Sequence, residues 1–260
     1  MRARKPLIVA NWKMHKTIAQ TRAFIADVRA RDLPLADVDA VICPPFTALA
    51  AARDALAGSA IGLGAQNVNW ADEGAFTGEI SPLMLAECGV AWVVIGHSER
   101  RHLFGELDYR VNEKARAALA HAVTPIVAVG ETAAEHAAGQ ARDKVCAQVQ
   151  AAFDGIPAAD VARCVVAYEP IWAIGTGNAD SPAGANHIMG EIRGTLPGLD
   201  HARILYGGSM NPANVGAFVA QPNIDGGLVG GASLEPASFA ALLEGARRAF
   251  VPQPQRGTSA

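Results

Sequence analysis

The sequence predicts an α/β fold, a single (β/α)8 barrel with eight parallel strands inside and helices outside, on three observations. Short β-branched runs alternate with longer stretches of helical spacing along the chain, the pattern of parallel βαβ units. The runs are apolar without polar alternation, so both faces of each strand are covered. They number eight in 260 residues, with no Pro/Gly/Ser linker between halves. Periodicity does not separate a closed barrel from an open doubly wound sheet, but the count and the length favour the barrel.

In chain order the strand runs are 7–10, 40–43, 61–65, 91–95, 125–129, 164–167, 203–205 and 226–229, the last weakened by Gly226 and Gly227. Apolar residues at helical spacing occupy 18–30, 47–56, 111–120, 144–153, 187–196, 213–219 and 236–250. The barrel domain is expected over 1–250. Residues 251–260, from Val251 and Pro252 to Ala260, lack core side chains and are expected to fray. Residues 66–81 show no helical period yet carry Trp70, Ala75 and Phe76. Long structureless connections are usually functional, and an apolar tip on such a loop is best explained by burial in a second copy of the chain, so a homodimer is expected.

Charge and composition narrow the function. The chain has 22 Lys plus Arg against 25 Asp plus Glu, a net charge of -3, and no basic run, so nucleic acid is not an expected partner. Cys43, Cys88, Cys146 and Cys164 show no ligand-like spacing and read as reduced thiols of a cytoplasmic protein. The apolar stretch after the basic start is too short for a signal peptide, and no run approaches a membrane span. No HxxxH, HExxH or Cys/His cluster is present, so neither metal nor cofactor is expected, and GxGxxG and GxxxxGK[ST] are missing too.

Reactive groups of a parallel barrel gather where its strands end. The first run leads into Asn11-Trp12-Lys13, the fourth into Gly96-His97-Ser98-Glu99-Arg100, the fifth into Gly130-Glu131, the sixth into Tyr168-Glu169-Pro170. The seventh leads into Gly207-Gly208-Ser209 and the eighth into Gly230-Gly231. Two glycine pairs on consecutive strands free backbone N–H groups for a phosphate. Lys13 supplies a cation for it, unless it is a solvated surface lysine. Glu169, ahead of a rigid Pro170, suits a general base. His97 precedes a run that can open a helix, a position that disfavours imidazolium and suits a neutral hydrogen-bond donor. Glu99 and Arg100 read equally well as a structural ion pair. Ile171, Trp172, Ala173, Ile174, Gly175, Thr176 and Gly177 form an apolar segment with two glycine hinges, the makings of a lid that expels water. This set fits proton transfer beside a carbonyl.

Taken together, Asn11-Trp12-Lys13, the 74–79 stretch, the run from Gly96 to Arg101, the run from Ala167 to Gly177, Tyr206 to Ser209, and Val229 to Ser233 resemble the triosephosphate isomerases. The resemblance runs from Asn11 to about Phe250 and implies a TIM barrel. It also implies interconversion of dihydroxyacetone phosphate and D-glyceraldehyde 3-phosphate through a cis-enediolate, in glycolysis and gluconeogenesis, without a cofactor. By the same resemblance, Glu169 moves the proton and His97 serves the two oxygens. Lys13 offsets charge, Asn11 bonds a substrate oxygen, and Glu99 is supporting. Gly175, Ser209, Gly230 and Gly231 hold the phosphate, while Thr77 beside Phe76 reaches into the partner subunit.

Three positions depart from the family's usual pattern: Ala128 for Cys, Asn178 for Lys, and Gly227 for a bulkier residue. Two other readings compete, a Schiff-base aldolase using a desolvated Lys13 and a catalytically silent phosphate-binding barrel.

Overall fold

The eight apolar runs become eight strands in a computed structural model that describes residues 4–173 and 180–250. They are β1 (Leu7–Asn11), β2 (Asp39–Cys43), β3 (Gly62–Ala65), β4 (Trp92–Ile95), β5 (Thr124–Val129), β6 (Val165–Tyr168), β7 (Arg203–Tyr206) and β8 (Gly226–Val229). Each pairs in parallel with its sequence neighbour, and β8 pairs with β1 to close the barrel. The bounds differ from the sequence expectation by one or two residues, chiefly because β1, β6 and β7 each run on through a polar or aromatic residue, Asn11, Tyr168 and Tyr206. The expected lid residues Ile174, Gly175 and Thr176, together with Asn178 and the 251–260 segment, lie outside the described residues.

The period of two along each strand divides the core in two. Leu7, Val9, Val41, Cys43, Val94, Ile126, Ala128, Val165, Ala167, Leu205 and Leu228 fill the barrel. Ile8, Ala10, Ile42, Ile95, Val127, Val166 and Ile204 face the helices instead. Asn11 continues the inward series of Leu7 and Val9 one step further, which puts its amide at the mouth. Gly226 has φ +137, and a Cβ there would run into the Leu7 backbone, so the closing seam between β8 and β1 demands glycine. Gly227 also has an explanation: the space of its missing side chain is taken by the thioether of Met210.

Outside lie α1 (Ile18–Arg29), α2 (Leu49–Leu56), α3 (Pro82–Glu87), α4 (Ser98–Phe104), α5 (Asp108–Ala120), α6 (Ala133–Ala137), α7 (Ala141–Phe153), α8 (Ala158–Val161), α9 (Pro182–Arg193), α10 (Val215–Val219) and α11 (Pro236–Phe250). The expected helix at 47–56 divides into a 3-10 turn, Phe46–Ala48, and α2. That at 187–196 begins five residues earlier, because Ser181 caps α9 and Pro182 occupies its first turn. Thr17 and Gln20 form a capping box on α1, as Thr132 and Glu135 do on α6. At the floor of the barrel Asp225 accepts from Arg4 at 3.0 Å and from Arg193 at 2.6 Å, tying the chain's start to its last strand.

Residues 66–81 form an irregular loop. Trp70 and Phe76 meet edge to face at 5.5 Å within it, and the Arg110 guanidinium lies 3.9 Å from the Trp70 ring centre.

Candidate active site

β1, β4, β6, β7 and β8 deliver residues to the same mouth because all eight strands run in one direction. Asn11, Lys13, His97, Glu169, Ser209, Gly230 and Gly231 line one cavity of about 290 Å³, whereas Glu99, Ile171, Trp172 and Ala173, also chosen from the sequence, do not line it. Gly207, from the first of the two glycine pairs, also lines it, as does Met210, which drew no role from the sequence.

Glu169 is buried and its carboxylate is fully engaged. Its Oε1 lies 3.0 Å from His97 Nε2, and its Oε2 accepts from the Ser98 amide at 2.9 Å. Burial alone would raise its carboxyl, but the His97 imidazole and the Ser98 donors outweigh burial and hold it below the usual value. A Cβ on Gly130 would strike the Glu169 carbonyl and one on Gly207 its side chain, so two glycines make the room that the base occupies.

His97 caps α4, its Nδ1 accepting from the Glu99 amide at 3.2 Å. An acceptor at Nδ1 leaves Nε2 as the nitrogen that carries the ring proton and points it at Glu169. Burial would lower the imidazole's pKa, while the charge and hydrogen bond of Glu169, then the charge of Glu99, raise it against Lys13, and the net direction is upward. Burial, with Lys13, is thus what opposes the charged ring, and Glu169 is what favours it most.

Lys13 has φ +52, a left-handed conformation unusual for a residue with a side chain. Gln66 holds it there, donating to the carbonyls of Lys13 and Cys43 at 2.9 Å each. Lys13 Nζ pairs with Glu99 at 2.6 Å, and Arg100 pairs with Glu106 at 2.7 Å. The Glu99–Arg100 ion pair that the sequence allowed is therefore not formed, because α4 turns Arg100 away toward Glu106, beside Lys114. Partly solvated and ion-paired, Lys13 is not the dry amine that a Schiff-base route requires.

After β7 and β8 come the two glycine-bearing loops in which the sequence expects an anion. A 3-10 turn, Gly231–Ser233, opens at Gly230, and Ser209 donates through its hydroxyl to the Ala173 carbonyl at 2.6 Å. Trp172 donates its indole N–H to Glu131 at 2.7 Å, and Tyr168 donates to the same oxygen at 3.1 Å. Glu131 is fully buried; the sequence placed it at a strand end without a role, since the two donors come from another strand and its loop.

A family model described as triosephosphate isomerase matches residues 6–246 of the chain. The chain belongs to the triosephosphate isomerase family. It is 51% identical over 246 residues to the triosephosphate isomerase of Chloroflexus aurantiacus, covering 92% of this chain and 98% of that one. The triosephosphate isomerases of Symbiobacterium thermophilum and a Roseiflexus species are each 48% identical, over 252 and 246 residues, covering 95% and 92% of this chain and 98% and 97% of theirs. The protein is accordingly a glycolytic isomerase on a TIM barrel, and the silent-barrel reading gives way. Among the described residues, no helix is long and apolar enough to cross a membrane, and no group of three or more His, Cys, Asp or Glu is placed to hold a metal ion.

Proposed function

We propose that the protein interconverts D-glyceraldehyde 3-phosphate and dihydroxyacetone phosphate with Glu169 as the base and His97 as the hydrogen-bonding acid, without a cofactor. The observation that carries this assignment is the Glu169–His97 contact at 3.0 Å inside the cavity that Asn11 and Lys13 also line. Base and acid satisfy each other there, so a substrate oxygen has to take the place of the Glu169 carboxylate at His97 Nε2. That exchange removes the charge that favours imidazolium and leaves a neutral ring donating to the substrate oxygens. Freed from His97, the carboxylate reaches the carbon beside the carbonyl, takes its proton, and returns it to the neighbouring carbon of the cis-enediolate. Lys13 offsets the charge on the enediolate and phosphate, with Glu99 holding its ammonium, and Asn11 bonds a substrate oxygen. Backbone N–H groups of Gly230, Gly231, Ser209 and Gly175 hold the phosphate, and the segment from Ile171 to Thr176 serves as the lid that excludes water.

Steady-state conversion of D-glyceraldehyde 3-phosphate, in protein dialysed against a chelator, tests the assignment. Glu169→Asp, which retracts the base by about 1 Å, should lower kcat about a hundredfold and change KM far less. Equal losses in binding would overturn the role given to Glu169.

The working unit is a homodimer in the cytoplasm. Phe76 and Thr77 are exposed in the 66–81 loop, and the exposed apolar side chains Phe104, Leu107 and Tyr109 line a cavity with them. A second cavity, about 260 Å³, lies beside the first and shares Asn11, Lys13 and His97 with it. The loop tip of a second copy would fill this cavity and shield Lys13 from its open side.

A further inference from the structure

We propose that His136 is a positioning residue for Trp172, and that its protonation fixes the turn joining the base Glu169 to the substrate cradle. In the sequence His136 reads as a surface or core residue, since Trp172, the ring it meets, comes from the loop after another strand. In the fold its ring rests on the Trp172 indole, with centroids 4.3 Å apart and planes at 35°. Its Nδ1 also lies 3.4 Å from Glu131 Oε1, the oxygen that accepts the Trp172 indole N–H at 2.7 Å. Glu131 is wholly buried, its Oε2 has no hydrogen-bond partner among the described residues, and its Oε1 accepts from the neutral donors Tyr168 and Trp172. A buried carboxylate needs a counter-charge, and His136 is the group able to supply one beside it.

The other charged groups facing His136 are Asp180, whose carboxyl feels the imidazole's charge, and Glu135, which is paired with Lys144 at 3.2 Å. Imidazoles change charge between about pH 5 and 8. Once charged, His136 attracts the Glu131 carboxylate 3.4 Å away and presents a cation to the indole face, so one ring reinforces both contacts that hold Trp172. Trp172 sits in the 3-10 turn Ile171–Ala173, where the Ile171 amide donates to the Glu131 carbonyl at 3.1 Å and the Ala173 carbonyl accepts from Ser209. The strength of His136's hold is therefore felt at Ser209 rather than at the reacting carbons.

The inference rests on the reading of Ser209 as a phosphate ligand, so its first test does not use turnover. Indole fluorescence of the wild type minus that of Trp172→Phe isolates Trp172, and it should titrate between about pH 5 and 8. His136→Ala should abolish that titration, and His136→Arg should lock the signal at its acid value. In turnover, His136→Ala should raise KM by about two- to fivefold at pH ~5.5 with kcat nearly unchanged, the worth of a half-exposed cation on an indole. The ratio should shrink toward pH ~8. His136→Arg should restore KM at both values. A Trp172 titration that persists in His136→Ala, or a KM ratio independent of pH, would overturn the proposal.

Discussion

His97 and Glu169 are held by opposite forces, and pH separates them. The raised imidazole contributes stability that is complete below its unfolded value, about 6.5, and is lost as pH rises through the folded value. The lowered carboxyl contributes above its unfolded value, about 4.3, and that contribution is lost as pH falls through the folded one. Denaturant unfolding of wild type minus His97→Gln should therefore show its greatest difference between about pH 4.3 and 6.5. A difference constant from acid to alkaline pH would show that the two groups do not share a proton-linked contact. Lys13→Ala should weaken phosphate-bearing ligands as well as turnover, which inhibitor binding would show; unchanged binding would remove Lys13 from the phosphate's charge balance.

At the scale of elements, strand ends and glycines carry most of the design. Met210, at the end of the segment after β7, fills the volume that Gly227 of β8 leaves, so the two are best regarded as one packing unit. Met210→Ala should cost about 2–5 kcal/mol by opening a cavity, and Gly227→Ala about 1–3 kcal/mol by crowding the thioether. The double variant should lose less than the sum, as measured by urea unfolding. Strict additivity would mean that the thioether does not sit where β8 needs it. The strands were legible to within a residue or two because buried parallel strands are apolar runs that need no context. Long helices were legible from their period, whereas α3, α6 and α8 were not, since four to six residues complete fewer than two turns. Glu169, His97, Lys13 and Asn11 could be picked out because each lies at the end of a strand or within two residues beyond it. His136 and Met210 could not, because their meaning lies in partners brought from other strands, Trp172 for one and Gly227 for the other.

For the whole molecule, the loop tip and the second cavity make a direct prediction about assembly. Sedimentation should give a dimer at micromolar concentration, and Thr77→Arg should yield a folded monomer with most of its turnover lost, because its Lys13 side then stands open. A wild-type monomer of full activity would remove the partner from the site.

The seam between β1 and β8 has a further consequence for how the protein is made. Leu7 to Ala10 find their second neighbour only in Gly226 to Val229, and Asp225 completes the floor with Arg4. A chain emerging from the ribosome therefore carries β1 with one unpaired edge until residue 229 has been added. Throughout nearly the whole of translation the nascent sheet has two open flanks, and the last short, glycine-bearing strand is the one that seals both.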